Sequence, residues 1–239
     1  MADLYDADFQ RRVFDDMAAS YDRVNRITSF GFSTRWRIAA VRRLELRPGM
    51  TVHDWMTGMG EGWSLLRGRL GPADPIIGID FSAGMLNVAR RRLGRSPDEA
   101  IELRGGDLLA MDPPLDDGSA DAILCLFGVK TIRPDDRPRF AAELARVLRP
   151  GGTYSLIEVS TPRFAPLRWP YLFYLKRVIP ILGRLLLGNP ESYRLLGIYT
   201  ERFGDCRALV PVLRAAGLEA TYGDSFFGCA SGVWGRRPA

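Results

Sequence analysis

The sequence predicts an α/β fold in which one doubly wound, mostly parallel sheet carries helices on both faces. Strand-type and helix-type patterns alternate through most of the chain, as in parallel strands joined by helical crossovers. Two successive strand patterns end in an acid, Asp54 and Asp80, and the glycines Gly58 and Gly60 follow the first of them. The 239 residues, 46% of them hydrophobic, can form a full core, so a single domain over residues 1–239 is expected.

The chain is predicted to begin with helices and then to form seven strands. Apolar residues such as Val13, Phe14 and Met17 recur at helical spacing within residues 1–46, before a Pro-Gly turn. The last two strands are expected to form an antiparallel hairpin at the sheet edge. The strands are predicted at 50–54, 76–80, 100–104, 121–127, 153–159, 219–223 and 228–234, and the later helices at 61–70, 83–94, 136–148 and 203–216.

Residues 161–200 are predicted to form a helical cap inserted after the fifth strand. The stretch from Trp169 to Leu182 is apolar and aromatic, but prolines and charges interrupt it too often for a bilayer-spanning helix. Aromatic residues alternate with cations between Arg168 and Arg184, a pattern that suits the surface of an anionic membrane. We therefore expect peripheral membrane contact, with ordinary packing over the sheet as the alternative explanation.

The loop after the first strand predicts a site for a nucleotide-type cofactor. A strand, a tight loop and a helix follow one another here, which points the helix N-terminus at a ligand. Gly58 and Gly60 permit positive φ or close approach to a ligand, and Asp54 can accept hydrogen bonds from an amine or hydroxyl. Asp80 follows Gly60 at roughly the twenty-residue spacing that places a carboxylate on ribose hydroxyls.

Composition and charge narrow the remaining classes of function. The net charge is +5 and the pI is about 9.4, but most arginines are scattered among acids, so a nucleic-acid partner is not expected. One histidine argues against a His-rich metal site or a Ser/His triad. Cys125, Cys206 and Cys229 lack metal-type spacing and are predicted to be free thiols in a reducing compartment. The acidic N-terminus does not resemble a signal peptide, so a cytoplasmic location is expected.

Four ordered segments resemble the ubiquinone/menaquinone C-methyltransferase family of class I S-adenosylmethionine-dependent methyltransferases. Residues 21–25 with Ser29 and Trp36 resemble its first signature, although Ser33 stands where the family has histidine. Residues 146–152 and 158–160 match its second signature, and residues 127–131 and 189–194 resemble two further family segments. This resemblance implies a Rossmann-like class I methyltransferase fold with S-adenosylmethionine as cofactor.

The resemblance also implies a role for each matching residue. Asp54, Gly58 and Gly60 would hold the methionine part of the cofactor, Asp80 would bind the ribose, and Tyr21 would close over the sulfonium. The full implied cofactor set is Tyr21, Asp54, Thr57, Gly58, Gly60, Asp80, Phe81, Met85, Asp107 and Leu108. The implied substrate residues are Asn25, Trp36, Lys130, Tyr193 and Arg194, and the candidate catalytic residues are His53, Lys130 and Tyr21.

The glycine loop departs from the family pattern at Met56, Met59 and Glu61, and Lys130-Thr131 replaces an Arg-Asn pair. The altered loop resembles the rhodoquinone biosynthesis family (RquA-type). That resemblance implies conversion of ubiquinone to rhodoquinone, in which an amino group from S-adenosylmethionine replaces a ring methoxy group with Mn²⁺ as helper. His53 is a candidate base or metal ligand in this reading, and the metal positions are left unassigned.

Two alternatives stay open at this point. The first is C-methylation of a polyprenyl benzoquinol or naphthoquinol, which requires a ring carbon aligned behind the sulfonium methyl group. The second is a non-catalytic subunit of a quinone-biosynthesis complex. The enzyme readings share a polyprenyl quinone substrate and place the protein at the inner face of a membrane. The oligomeric state is left open between a monomer and a homodimer.

Overall fold

The computed structural model describes residues 4–18, 28–187 and 190–239, and its centre is a seven-stranded sheet. The strand order is β3-β2-β1-β4-β5-β7-β6, and the first five strands are parallel while β7 runs antiparallel to both β5 and β6. The predicted sheet with its antiparallel C-terminal edge is confirmed. The strands are β1 Val52–Trp55, β2 Ile76–Asp80, β3 Ile101–Gly105, β4 Ala120–Leu126, β5 Leu148–Val159, β6 Thr221–Ser225 and β7 Ala230–Arg236.

Helices cover both faces of this sheet. Two of them begin at side-chain caps, since Asp6 accepts a hydrogen bond from Phe9 N–H and Ser82 accepts one from Met85 N–H. We label the helices α1 Ala7–Met17, α2 Phe32–Arg42, α3 Trp63–Arg67, α4 Ala83–Arg95, α5 Arg137–Val147, α6 Ala165–Phe173, α7 Ile179–Leu187, α8 Pro190–Phe203 and α9 Val210–Ala215. A π-helical turn, Tyr174–Val178, joins α6 to α7, and short 3-10 turns occupy Val129–Thr131, Pro134–Asp136 and Cys206–Leu209.

The core lies in three clusters that follow from the alternation of side chains along the strands. His53 and Trp55 face the side covered by α5 and α9, whereas Val52 and Asp54 face α2 and α3. A third cluster joins α1, α4 and α8 above the carboxyl ends of the strands, and Met59 of the glycine loop lies inside it. Within the described ranges, no helix is both long and apolar enough to cross a membrane.

Three local predictions are corrected by the structure. The helix predicted at 61–70 is confined to α3, because Gly62 precedes it and Gly68 follows it. The helix predicted at 203–216 is broken at Gly204, which has φ +74°, and restarts as a 3-10 turn capped by Asp205. Trp55, which follows the strand predicted at 50–54, is the last residue of β1 and is fully buried against Phe140, with ring centroids 5.6 Å apart.

Trp55→Ala is expected to lower the free energy of unfolding by about 3–5 kcal/mol, because it leaves a large cavity beneath the sheet. Trp169→Ala removes the same side chain from α6, where it is 74% exposed, and should change stability by about 0.5 kcal/mol or less. Chemical denaturation of both variants gives the comparison. Equal losses from the two variants would contradict the packing role assigned to Trp55.

Candidate active site

Two cavities lie side by side above the carboxyl ends of the central strands. The smaller cavity, about 160 Å³, is bordered by the ends of β1, β2 and β4 and by α1. Parallel α/β sheets bind their ligands at this edge. Seven of the residues predicted to bind the cofactor line its wall, and they are Thr57, Gly58, Asp80, Phe81, Met85, Asp107 and Leu108.

Asp80 fixes the glycine loop to the end of β2. One carboxylate oxygen accepts the N–H of Gly58 at 2.8 Å, and the other accepts the N–H of Ser82 at 2.9 Å. Gly58 has φ +59°, a conformation that disfavours any residue with a Cβ. Burial raises the pKa of Asp80 to about 6 despite these hydrogen bonds. Each oxygen keeps further acceptor capacity, so the carboxylate can also receive hydroxyl groups from the cavity.

Asp54 and Gly60 lie beside the smaller cavity but outside its wall. Asp54 accepts the hydroxyl of Thr57 at 2.6 Å, and the indole N–H of Trp63 donates to the same hydroxyl at 3.1 Å. The Trp63 ring also covers Gly60, where an added Cβ would lie 2.3 Å from a ring carbon. Burial, aided by the carboxylates of Glu61 and Asp80, raises the pKa of Asp54 to about 7. The two residues therefore set the shape of the loop from below.

Arg37 is a wall residue that the sequence did not reveal. It lies on α2 and donates to the Glu61 carboxylate at 3.0 Å, within the smaller cavity. Glu61 also accepts the N–H of Met59 at 3.2 Å. The guanidinium lies 5.4 Å from the ring centroid of Phe127, so it contacts both the loop and the end of β4. No local sequence motif indicates Arg37, because its partner Glu61 lies 24 residues away in the chain and comes close only in the folded structure.

The larger cavity, about 390 Å³, is almost entirely apolar and aromatic. It lies between α2, the α6–α8 segment and the turn joining β6 to β7, and it shares Phe127 with the smaller cavity. Its wall consists of Thr28, Ser29, Phe30, Phe32, Ser33, Trp36, Phe127, Lys130, Val159, Tyr171, Tyr174, Leu175, Ile179, Tyr193, Leu196, Gly197, Thr200, Phe226 and Cys229.

Three of the predicted substrate residues lie in this wall. Trp36, Lys130 and Tyr193 line the larger cavity, whereas Arg194 is exposed on α8 and lies outside the wall. Tyr21 and Asn25 lie outside the described residues. Asp107 is in the wall of the smaller cavity, where its carboxylate accepts the N–H of Leu109 at 2.9 Å.

Lys130 and Glu158 form a buried ion pair at the wall of the larger cavity. The ammonium donates to Glu158 at 2.7 Å and to the carbonyl of Phe127 at 2.9 Å, and the Lys130 backbone N–H donates to the second Glu158 oxygen at 3.1 Å. Both side chains are almost completely buried. Breaking such a pair leaves an uncompensated charge, so the pair holds the 3-10 turn after β4 in place.

His53 lies within β1 on the face opposite to Asp54 and lines neither cavity. Burial, aided by Arg104, lowers the pKa of His53 to about 4, so the ring is neutral at neutral pH. Across the described ranges no group of three or more His, Cys, Asp or Glu side chains is arranged to hold a metal ion, so the structure does not support the expected Mn²⁺. Cys125, Cys206 and Cys229 are buried free thiols, as predicted.

The pKa of Asp54 predicts a pH dependence of stability in the unliganded protein. Because the folded chain holds the Asp54 proton more tightly than the unfolded chain, this group lowers the free energy of unfolding as pH rises from 3.8 to about 7. Asp54→Asn should therefore gain stability relative to wild type at roughly pH 8 and lose that advantage at roughly pH 5. Denaturation at both pH values tests this, with the exposed Asp224→Asn as control. A pH-independent difference would contradict it.

The sequence of this chain is similar to that of known methyltransferases over nearly its whole length. The model of the ubiE/COQ5 methyltransferase family matches residues 1–237. A demethylmenaquinone methyltransferase of Thermus thermophilus is 34% identical over 226 residues, which cover 95% of this chain and 100% of that protein. A protein of the same name from Desulfitobacterium hafniense is 31% identical over 234 residues, which cover 97% of this chain and 91% of that protein.

Solved structures share the fold at lower identity. A SAM-dependent methyltransferase from Aquifex aeolicus superposes with a TM-score of 0.58 at 20% identity, covering 84% of this chain and 89% of its own. A geranyl diphosphate C-methyltransferase from Streptomyces coelicolor superposes with a TM-score of 0.59 at 15% identity. The match covers 85% of this chain and 79% of that protein.

The prediction that this chain converts ubiquinone to rhodoquinone by amination is wrong. The matching family model describes methyltransferases and the relatives are named demethylmenaquinone methyltransferases, which favours the methyl-transfer alternative. The loop departures that suggested amination have packing partners in this chain. Met56 packs against Gly128, Met59 is buried with α1 and α8, and Glu61 pairs with Arg37. The chain belongs to the ubiE/COQ5 methyltransferase family.

Proposed function

We propose that this protein is an S-adenosylmethionine-dependent C-methyltransferase that methylates the ring of a polyprenyl quinol of the demethylmenaquinol type. The observation that carries the proposal is the meeting of two chemically different cavities at Phe127. One is bordered by strand-end acids and suits a nucleoside, and the other is aromatic and suits a quinol ring with its isoprenoid tail. The names of the relatives agree with this substrate class.

The smaller cavity has the groups that S-adenosylmethionine requires. Asp80 offers its carboxylate to ribose hydroxyls, and Phe81 and Met85 offer an apolar wall to the adenine. One buried oxygen of Asp54 has no hydrogen-bond partner among the described residues, which fits a site that receives a cation. Glu61 adds negative charge beside it, and Arg37 adds a cation that suits the methionine carboxylate.

Residues of the chain then position the quinol ring, which is the methyl acceptor, and stabilise its charge. S-adenosylmethionine, when bound, supplies an electrophilic methyl group on its sulfonium. Trp36 and Phe127, with ring centroids 6.5 Å apart, form aromatic walls that orient a quinol ring beside the smaller cavity. Orientation is the main requirement, because the ring carbon must lie in line behind the methyl group.

Lys130 is the residue suited to stabilise the reduced, deprotonated ring. Glu158 and the carbonyl of Phe127 take two of its three ammonium N–H groups within the described structure, which leaves the third for a quinol oxygen. A cation beside a phenolic oxygen favours the phenolate, and the phenolate makes the ring carbon more nucleophilic. Glu158 acts through Lys130 and is therefore a positioning residue.

Several finer expectations belong to this proposal. The isoprenoid tail of the substrate implies peripheral contact with the cytoplasmic face of a membrane, through the segment between Arg168 and Arg184. A homodimer and the roles of Tyr21 and Asn25 stay predictions. The non-catalytic alternative requires that the site has lost its cofactor, and the acids at Asp54 and Asp80 argue against that.

Asp80→Asn is expected to weaken S-adenosylmethionine binding at least about tenfold, because charge-assisted hydrogen bonds contribute roughly 1.5–3 kcal/mol each. Isothermal titration calorimetry measures the change, and circular dichroism confirms that the variant is folded. Asp224→Asn, an exposed acid on β6, is the matched control and should bind like wild type. An unchanged dissociation constant in folded Asp80→Asn would remove the ribose role, and no binding by wild type would support the non-catalytic alternative.

Incubation of the protein with reduced demethylmenaquinol and methyl-labelled S-adenosylmethionine is expected to place the label on a ring carbon. Mass spectrometry should show that the quinol gains the mass of one CH₂ group, with S-adenosylhomocysteine formed in equal amount. The same incubation with the oxidised quinone is the control and should give no product, because the oxidised ring is not nucleophilic. Binding of both molecules without label transfer would overturn the proposed reaction.

A further inference from the structure

The hairpin turn joining β6 to β7 places two phenylalanines at positions where the backbone is left-handed. Phe226 and Phe227 have φ of +49° and +56°, and Gly228 follows with φ +87°. Residues with a Cβ are disfavoured in this left-handed region, where glycine and asparagine are the usual choices. Phe226 is 48% exposed and Phe227 is 73% exposed, so burial offsets little of the strain at Phe227. Strain at exposed apolar residues is typical of a functional surface.

Exposed apolar side chains also lie at the larger cavity and on α6 beside it. Phe30 and Phe226 line the larger cavity, and Phe226 packs on Phe32 at 4.3 Å between ring centroids. Trp169 and Phe173 stack on α6, the helix whose Tyr171 reaches the cavity wall. Seven large apolar side chains are exposed in the described structure. They are Phe30, Phe164, Trp169, Phe173, Ile181, Phe226 and Phe227.

Taken together, the three segments that carry six of these seven side chains are basic. Segments 28–36, 162–177 and 225–229 contain four arginines, one lysine and no acidic residue. The lysine, Lys176, pairs with Glu201, whereas the backbone of Arg163 passes close to Gly228 in the β6–β7 turn. The guanidinium carbon of Arg35 lies 5.6 Å from the centroid of the Phe32 ring. Aromatic groups flanked by arginines match the interface of an anionic bilayer, where rings enter the acyl boundary and cations meet the headgroups.

We propose that the Phe226–Phe227 turn inserts into an anionic lipid bilayer and holds the mouth of the larger cavity against the membrane surface. The route of the quinol from the bilayer into the cavity rests on the proposed function, whereas the insertion itself does not. Phe226 lies in the cavity wall and Phe227 does not, so Phe227 is the position at which membrane contact can be tested separately from substrate binding.

The test is co-sedimentation of the full chain with phosphatidylcholine vesicles, with and without phosphatidylglycerol. Wild type should prefer the anionic vesicles, and Phe227→Asn should lower that affinity by about tenfold through loss of apolar insertion. The melting temperature of Phe227→Asn should stay equal or rise, because asparagine suits the left-handed conformation. Arg163→Gln should weaken vesicle binding more than Arg69→Gln, which removes the same charge from an exposed position before β2.

A purely structural turn gives the opposite result, which is a lower melting temperature with unchanged vesicle affinity, and that outcome overturns the proposal. Equal binding to neutral and anionic vesicles also overturns it, as does recruitment to vesicles only through a second protein. Phe227→Asn should methylate a short-chain, water-soluble quinol like wild type but a long-chain quinol in vesicles more slowly. If wild type methylates the quinol but does not bind vesicles, membrane insertion is rejected and the proposed function stands. If wild type binds vesicles but does not methylate the quinol, the proposed function is rejected and membrane insertion stands.

Discussion

Asp80 makes the hydrogen bond on which the geometry of the site depends. Its carboxylate holds the N–H of Gly58 at 2.8 Å, so the loop after β1 is tied to the end of the neighbouring strand β2. The carboxylate is buried at a point where burial alone would disfavour its charge, and two backbone amides stabilise that charge. The two amides therefore hold the Asp80 carboxylate in one orientation before any ligand arrives, which is what preorganisation means.

The loop is also fixed from below and from the side. Trp63, Thr57 and Asp54 form a buried chain of hydrogen bonds under the loop, while Met59 inserts into the cluster of α1 and α8. The loop is therefore part of the core as well as part of the cavity wall. This double role explains why bulky residues stand at positions where a purely flexible glycine loop would have small ones. It also explains why their identity did not indicate the reaction.

The parallel strands could be predicted from sequence because buried strands and crossover helices leave strong periodic patterns. The acids at strand ends were predictable for the same reason, since a strand end fixes their position to within a residue. The direction of a side chain was harder, because one step along β1 separates Asp54 beside the cavity from His53 on the opposite face. Arg37 could not be predicted, since its partner Glu61 is brought to it only by packing of α2 on the sheet.

Helix α2 takes part in both cavities through consecutive residues. Trp36 faces the larger cavity, Arg37 faces the smaller one, and both contact the Phe127 ring. A ligand that shifts this helix from either side therefore changes the wall of the other cavity. Thermodynamic linkage makes such an effect reciprocal, so any factor by which the first ligand tightens the second must also be the factor by which the second tightens the first. Because consecutive residues of one helix turn supply both walls, a displacement of α2 would alter the two cavities together.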